Sequence, residues 1–195
     1  MGAGSRRLGR AFFTGPPLEV ARRLLGKTLV RVEAGALTGG TILETEAYIG
    51  EEDDACHARA GRTPRTAVMY GPAGVAYVYL NYGLHWLFNI VAGEPGSPAA
   101  VLVRAVAPSM GTDRIAARRG RQPEALWTDG PGKLTQALGI TGADNGADLC
   151  VPDAGIYILD APAIPDSSVT KTPRVGLNKV SEPWKSIDWR FLLKN

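Results

Sequence analysis

The sequence predicts an α+β domain, one curved and largely antiparallel sheet with a few peripheral helices. Three observations lead there. β-rich runs follow one another mostly without a helical stretch between them, which argues against a doubly wound parallel sheet. No G-x-G-x-x-G follows a strand and no G-x-x-x-x-G-K-[ST] occurs, so neither a dinucleotide fold nor a P-loop is supported. The 195 residues carry no internal repeat or long linker, and are ample for one domain with a real core but short for two.

In chain order, residues 1–13 read as a ragged, basic tail that can stay flexible, and 14–195 as the single domain. Pro16 and Pro17 open a helix, with Thr14 or Gly15 near its N-cap, because proline in the first turn forfeits no helical N–H bond. Leu18, Ala21, Leu24 and Leu25 recur at helical spacing, and Gly26 ends the run. Thr28 to Val32 alternates as a strand, Gly39-Gly40 reads as a turn, and Thr41 to Ile49 as the next strand. Residues 50–74 form a long loop region rich in glycine and proline, and such loops are usually functional. Ala76 to Tyr82 and Trp86 to Ala92 read as a hairpin around Gly83. Ala100 to Ala107 is a buried strand. Asp113 to Arg119 and Gly132 to Leu138 are short helices closed by glycines, and Gly155 to Leu159 is a strand. The segment 174–177 reads as strand or loop, and Trp184 to Leu193 as an aromatic-anchored final element.

Composition narrows the classes of function. Apolar residues make up 45% and charged residues 21%, which is ordinary globular usage. No run approaches the ~18 apolar residues of a membrane span. The basic start lacks an apolar core, so no secretory signal is expected. Two cysteines, Cys56 and Cys150, make no disulfide framework, and a reducing cytoplasmic setting follows, nucleoid-associated if the source is bacterial. Two histidines without spaced companions predict no metal, and no cofactor motif is present. Net charge is only +3, yet it is unevenly placed. Residues 1–31 carry seven arginines or lysines against Glu19 alone, and Arg114, Arg118, Arg119 and Arg121 form a second cluster. Such patches fit a nucleic-acid surface or solvated helix faces.

Four stretches can carry chemistry. Alternation puts Glu44, Glu46 and Tyr48 on one strand face, with Leu43, Thr45 and Ala47 on the other. Buried carboxylates are costly unless paired or used; the competing reading is an exposed face with partnered carboxylates. The following loop gathers His57, Arg59, Arg62 and Arg65, where His57 is either a surface histidine or part of a binding site. In Tyr77-Val78-Tyr79-Leu80-Asn81-Tyr82-Gly83, Tyr77, Tyr79 and Asn81 face one way and Val78, Leu80 and Tyr82 the other. Strand tyrosines usually pack, but an aromatic tip beside basic segments suits a wedge between base pairs. Arg104, inside the apolar strand Val101 to Val106, needs an acceptor, with Glu46 or Glu44 the simplest candidate.

Together with Asn89 and Gly130-Pro131-Gly132-Lys133-Leu134, these stretches resemble the alkyladenine DNA glycosylase family, the 3-methyladenine DNA glycosylases of mammalian type. The matches stand in the family's order and run from about Leu24 to near the C-terminus. The resemblance implies a domain like the C-terminal domain of formyltransferases. It implies that Glu46 activates water, with Arg104 helping to hold that water and the carboxylate. Tyr48, His57 and Tyr79 would enclose a flipped base, Asn89 would stand at its edge, and Tyr82 would intercalate. Arg62, Arg65 and Lys133 are expected on the DNA backbone, Lys133 in a turn suited to a phosphate. The expected partner is damaged double-stranded DNA, bound by a monomer. Expected substrates are 3-methyladenine, 7-methylguanine, hypoxanthine and ethenoadenine. No lysine shares a strand with Glu46, so a Schiff-base lyase step is not expected. The alternatives are a non-catalytic nucleic-acid-binding domain on the same scaffold and an unrelated small-molecule hydrolase. Residues 141–166 carry no motif.

Overall fold

A computed structural model describes residues 6–194. Its frame is an eight-stranded sheet in which every strand pairing is antiparallel. The strands are β1 (Thr28–Glu33), β2 (Ala36–Tyr48), β3 (Ala76–Asn81), β4 (His85–Ala92), β5 (Ala99–Met110), β6 (Ile156–Leu159), β7 (Val169–Thr172) and β8 (Arg190–Leu193). They run in the order β3-β4-β5-β2-β1-β6. β8 joins beside the second half of β2, where β1 has ended, and β7 pairs with β8. Three helices flank the sheet: α1 (Pro17–Leu24), α2 (Thr112–Arg119) and α3 (Pro131–Leu138).

The expected turn at Gly39-Gly40 is instead the interior of β2, which begins at Ala36. The reversal lies at Ala34-Gly35, both at positive φ (49° and 75°), the backbone sense that matches the twist of a tight hairpin. The two glycines serve close packing. A Cβ on Gly39 would strike the Leu29 carbonyl, and one on Gly40 the Ala107 carbonyl. Register breaks between β2 and β5 at Gly39/Gly40 and on either side of Glu44 bend β2, as bulges do.

The bulge also resets the side-chain alternation. Ile42, Thr45 and Ala47 are buried, Thr45 reaching the Ala21 carbonyl of α1 at 2.9 Å. Leu43, expected on their face, has no cross-strand partner in β5. The helix-side core holds Val20, Leu24, Phe88, Ile90, Val101 and Leu138. The opposite face of β2–β5 carries Glu46, Tyr77, Tyr79 and Asn89, so one side of the sheet is packed and the other is available for chemistry.

Two further expectations change. From Arg6 onward the stretch read as a tail is packed: Leu8 and Phe13 are buried, and Arg7 bridges to Leu159. Phe12, Phe13 and Leu8 supply the apolar anchors that its arginines obscure in sequence. Residues 1–5 lie outside the described part. Within the stretch 141–166, which carries no motif, residues 142–149 cover the open edge of β3, while Ile156–Leu159 form β6 at the far end of the sheet. Asn145 Oδ1 accepts from Val78 N at 3.0 Å, and Ala76 and Gly146 or Ala147 exchange backbone bonds of 2.8 Å. An exposed strand edge is a liability, and here the covered edge is the strand that carries the site tyrosines.

Candidate active site

Glu46 and Tyr48 point from the end of β2 into a cleft of about 700 Å³. β3, β4 and β5 provide its other walls, together with the loop after β2, the first turn of α3 and residues 175–177. Glu46 has no solvent-exposed surface. Its Oε2 accepts from the Tyr48 hydroxyl at 2.9 Å and its Oε1 from the Val175 backbone N–H at 2.7 Å. Arg104 Nη1 lies 3.3 Å from Oε1. The tighter partner of Arg104 is Glu44, at 2.6 Å from Nε, and Arg190 adds a 3.0 Å bond to the same Glu44 oxygen. Both partners left open in the sequence are therefore used, with Glu44 first.

Burial pushes the Glu46 carboxyl above its ordinary value, although Arg104, the Val175 N–H and Tyr48 all pull it back. An ionised carboxylate has about four acceptor positions. Two are filled by hydrogen bonds here, one on each oxygen, and Arg104 stands against Oε1 as an ion pair, so the free position on Oε2 is the one a water can take. Burial likewise raises the Tyr48 phenol well above its usual range, with the Glu46 charge adding to it, so Tyr48 stays a donor.

The aromatic wall forms because β3 alternates Tyr77 and Tyr79 toward the cleft. His57 stands on them from a short 3₁₀ turn (His57–Ala60) in the loop after β2. Its Nδ1 and the Tyr77 hydroxyl are hydrogen-bonded at 2.9 Å, and its ring meets Tyr79 edge-on at 4.4 Å between centroids. Burial, then the Arg65 charge, lowers His57 to about 4, so it is a neutral wall near pH 7. Asn89 is buried and donates to the Tyr77 carbonyl at 3.0 Å.

Tyr82 lies in the hairpin turn rather than at the end of β3, so the expected alternation with Val78 and Leu80 stops one residue short. It is 89% exposed at φ 51°. A bulky residue rarely holds a left-handed backbone, and such strain, about 1–3 kcal/mol, tends to mark functional positions. Leu84, 75% exposed, lies beside it in the same turn. Arg62 and Arg65 are exposed beyond the wall, Arg65 lying 5.0 Å from the Tyr79 ring centre. Lys133 is in the first turn of α3, not in a free turn, because Pro131 starts the helix. It pairs with Asp129 at 2.9 Å and lines the cleft. The structure thus gathers Glu46, Arg104, Tyr48, His57, Tyr79, Tyr82, Asn89 and Lys133 around one cleft, with Arg62 and Arg65 outside its aromatic wall.

The sequence reading missed Val175 and the wholly buried pair of Arg174 with Asp53. An apolar Val-Gly-Leu after an arginine was the only local signal, and nothing in it marks a backbone donor. Among the described residues, no group of three or more His, Cys, Asp or Glu side chains is placed to hold a metal ion, and no helix is long and apolar enough to cross a membrane.

Residues 11–195 match the family model described as Methylpurine-DNA glycosylase (MPG). Relatives named "Putative 3-methyladenine DNA glycosylase" include one from Myxococcus xanthus (strain DK1622), 50% identical over 188 residues, 96% of this chain and 90% of the relative. Another, from Chlorobaculum parvum, is 46% identical over 182 residues, covering 92% of this chain and 86% of the relative. A third, from Methanocella arvoryzae, is 45% identical over 190 residues, with 96% and 92% covered.

Proposed function

The chain belongs to the methylpurine-DNA glycosylase family, and on that premise we propose that it is a monofunctional DNA glycosylase that hydrolyses the N-glycosidic bond of damaged purines, with Glu46 activating the attacking water. The observation that carries this reading is a fully buried carboxylate at the floor of an aromatic cleft, with an acceptor position free on Oε2 and Arg104 beside it.

The sugar carbon is unreachable inside a stacked duplex, so the nucleotide must be turned out, at a cost of a few kcal/mol that is smallest for a damaged base. Tyr82 fills the gap it leaves. The base enters between Tyr48, His57 and Tyr79, with Asn89 at its edge. Electron-rich ring faces favour an alkylated, cationic purine by roughly 0.5–2 kcal/mol, and neutral His57 adds no opposing charge. A cationic base already leaves well, so one carboxylate suffices where sugar hydrolases need two. Glu46 takes the proton of the water as the glycosidic bond breaks, and the products are free base and an abasic strand. Because Glu46 is closed to solvent, the water reaches it as Tyr48 gives way to the entering nucleotide. Arg62, Arg65 and Lys133 bind backbone phosphates, and the protein acts as a monomer. The substrate class spans 3-methyladenine, 7-methylguanine, hypoxanthine and ethenoadenine.

The pH profile tests the role of Glu46. With 7-methylguanine, whose charge removes the need for an acid, single-turnover release is expected to rise with pH through the raised Glu46 value and then level. The midpoint should lie above 4.5, the ordinary glutamate value, because burial raises it. His57, at about 4, adds no second limb there. A rate that falls as pH rises over this range contradicts a glutamate base.

A further inference from the structure

We infer that the buried Arg174–Asp53 pair is the positioning device of the site, holding the Val175 N–H on Glu46 and fixing the turn that delivers the His57 wall. This rests on the glycosylase reading above. Both side chains are fully buried. The Arg174 guanidinium grips Asp53 with two bonds, 2.5 Å from Nη1 and 2.9 Å from Nη2. Nη1 also donates to the Ala47 carbonyl at 3.0 Å, and Nη2 to the Trp184 carbonyl at 3.2 Å. Its carbon centre lies 4.7 Å from the Tyr48 ring centre and 5.0 Å from that of Trp189.

The pair therefore joins the end of β2, between Glu46 and Tyr48, to two irregular segments. On one side is the residue next to Arg174: Val175 is half exposed, yet its N–H is bonded to Glu46. The segment between β7 and β8 has no strand or helix through Val175, and its fixed point next to Glu46 is Arg174. On the other side, Asp53 Oδ1 also accepts from Ala55 N at 3.0 Å, and the Asp53 carbonyl accepts from Cys56 N at 2.8 Å. That turn leads directly into the His57 3₁₀ turn. Arginine supplies a planar fork for this geometry and lysine does not. Such a pair also gives little net stability, since desolvation offsets the attraction. A role in aiming neighbouring groups accounts for the geometry better than a role in holding the fold.

Glu46 is faced by Glu44 and Tyr48 of its own strand, Arg104 of β5 and Tyr79 of β3, while Arg190 of β8 binds Glu44. None of these changes in the test. It uses the full chain as wild type, Arg174→Lys, Val175→Pro and the double variant. The measurement is single-turnover release of 7-methylguanine from duplex across pH, with KM and Tm. Val175→Pro deletes the N–H itself. Loss of that bond raises the Glu46 value, so the acid limb should move to higher pH by about half a unit or more in both single variants. The double variant should move no further. The Arg174→Lys maximal rate should fall about tenfold while KM for the duplex changes less than about threefold. An Arg174→Lys protein with lowered Tm but a wild-type limb and rate makes the pair merely structural. An unshifted Val175→Pro limb also overturns the inference. If Arg174→Lys does not fold, Asp53→Asn is read in the same way, and if neither folds, Val175→Pro on its exposed residue decides. A wild type that releases no base overturns the glycosylase reading instead.

Discussion

Glu46→Gln is expected to lower release of 3-methyladenine from alkylated duplex DNA by about 10²–10⁴-fold, the range a general base supplies, while duplex binding survives. The substitution fits the site. A glutamine oxygen can accept from Val175 N and Arg104, its amide can donate to the Tyr48 oxygen, and Arg104 keeps Glu44. Stability should not fall either. The folded state raises the Glu46 value, so the native protein binds the proton more readily than the unfolded chain. Its stability therefore declines as pH rises from 4.5 through the raised value, and the whole cost is present above that value. Glutamine removes that cost. Tm at pH 7 is expected at or above wild type, and a loss of binding or folding that parallels the loss of activity would make Glu46 a structural residue.

Tyr82→Ala is expected to weaken the flipped complex by about 5- to 150-fold, corresponding to the roughly 1–3 kcal/mol of a base–aromatic stack. Tyr82 is nearly free of contacts on the protein and sits at strained backbone, so its removal should barely alter the fold. A 2-aminopurine beside the lesion reports the effect through its stacking. Unchanged fluorescence together with unchanged excision would sink the wedge assignment.

How far the sequence could be read is clear from particular residues. The pairing of Glu46 with Tyr48, and of Tyr77 with Tyr79, was legible because period-two alternation is local. Arg104 was legible because a charge in an apolar strand demands a partner. The Gly39-Gly40 turn was misread because glycine serves both reversal and close backbone approach, and only the neighbouring carbonyls of Leu29 and Ala107 tell them apart. Leu43 fell out of phase at a bulge, which leaves no signature in the side-chain pattern. Val175 contributes through its backbone, where side-chain chemistry says nothing. Asp53 is one of four consecutive carboxylates, Glu51-Glu52-Asp53-Asp54, and nothing local marks it as the one that reaches Arg174, 121 residues on. The packing of Leu8 and the edge cover by residues 142–149 likewise depend on contacts distant in sequence.

The most direct test of the account follows the wild-type protein on a duplex with a single 3-methyladenine, in excess enzyme, with both the freed base and the DNA strand recovered. The account predicts stoichiometric free 3-methyladenine and an unbroken strand with an abasic site, cleaved only on later alkali treatment. A duplex that is bound but keeps its base would contradict it and leave a non-catalytic DNA-binding domain on this scaffold.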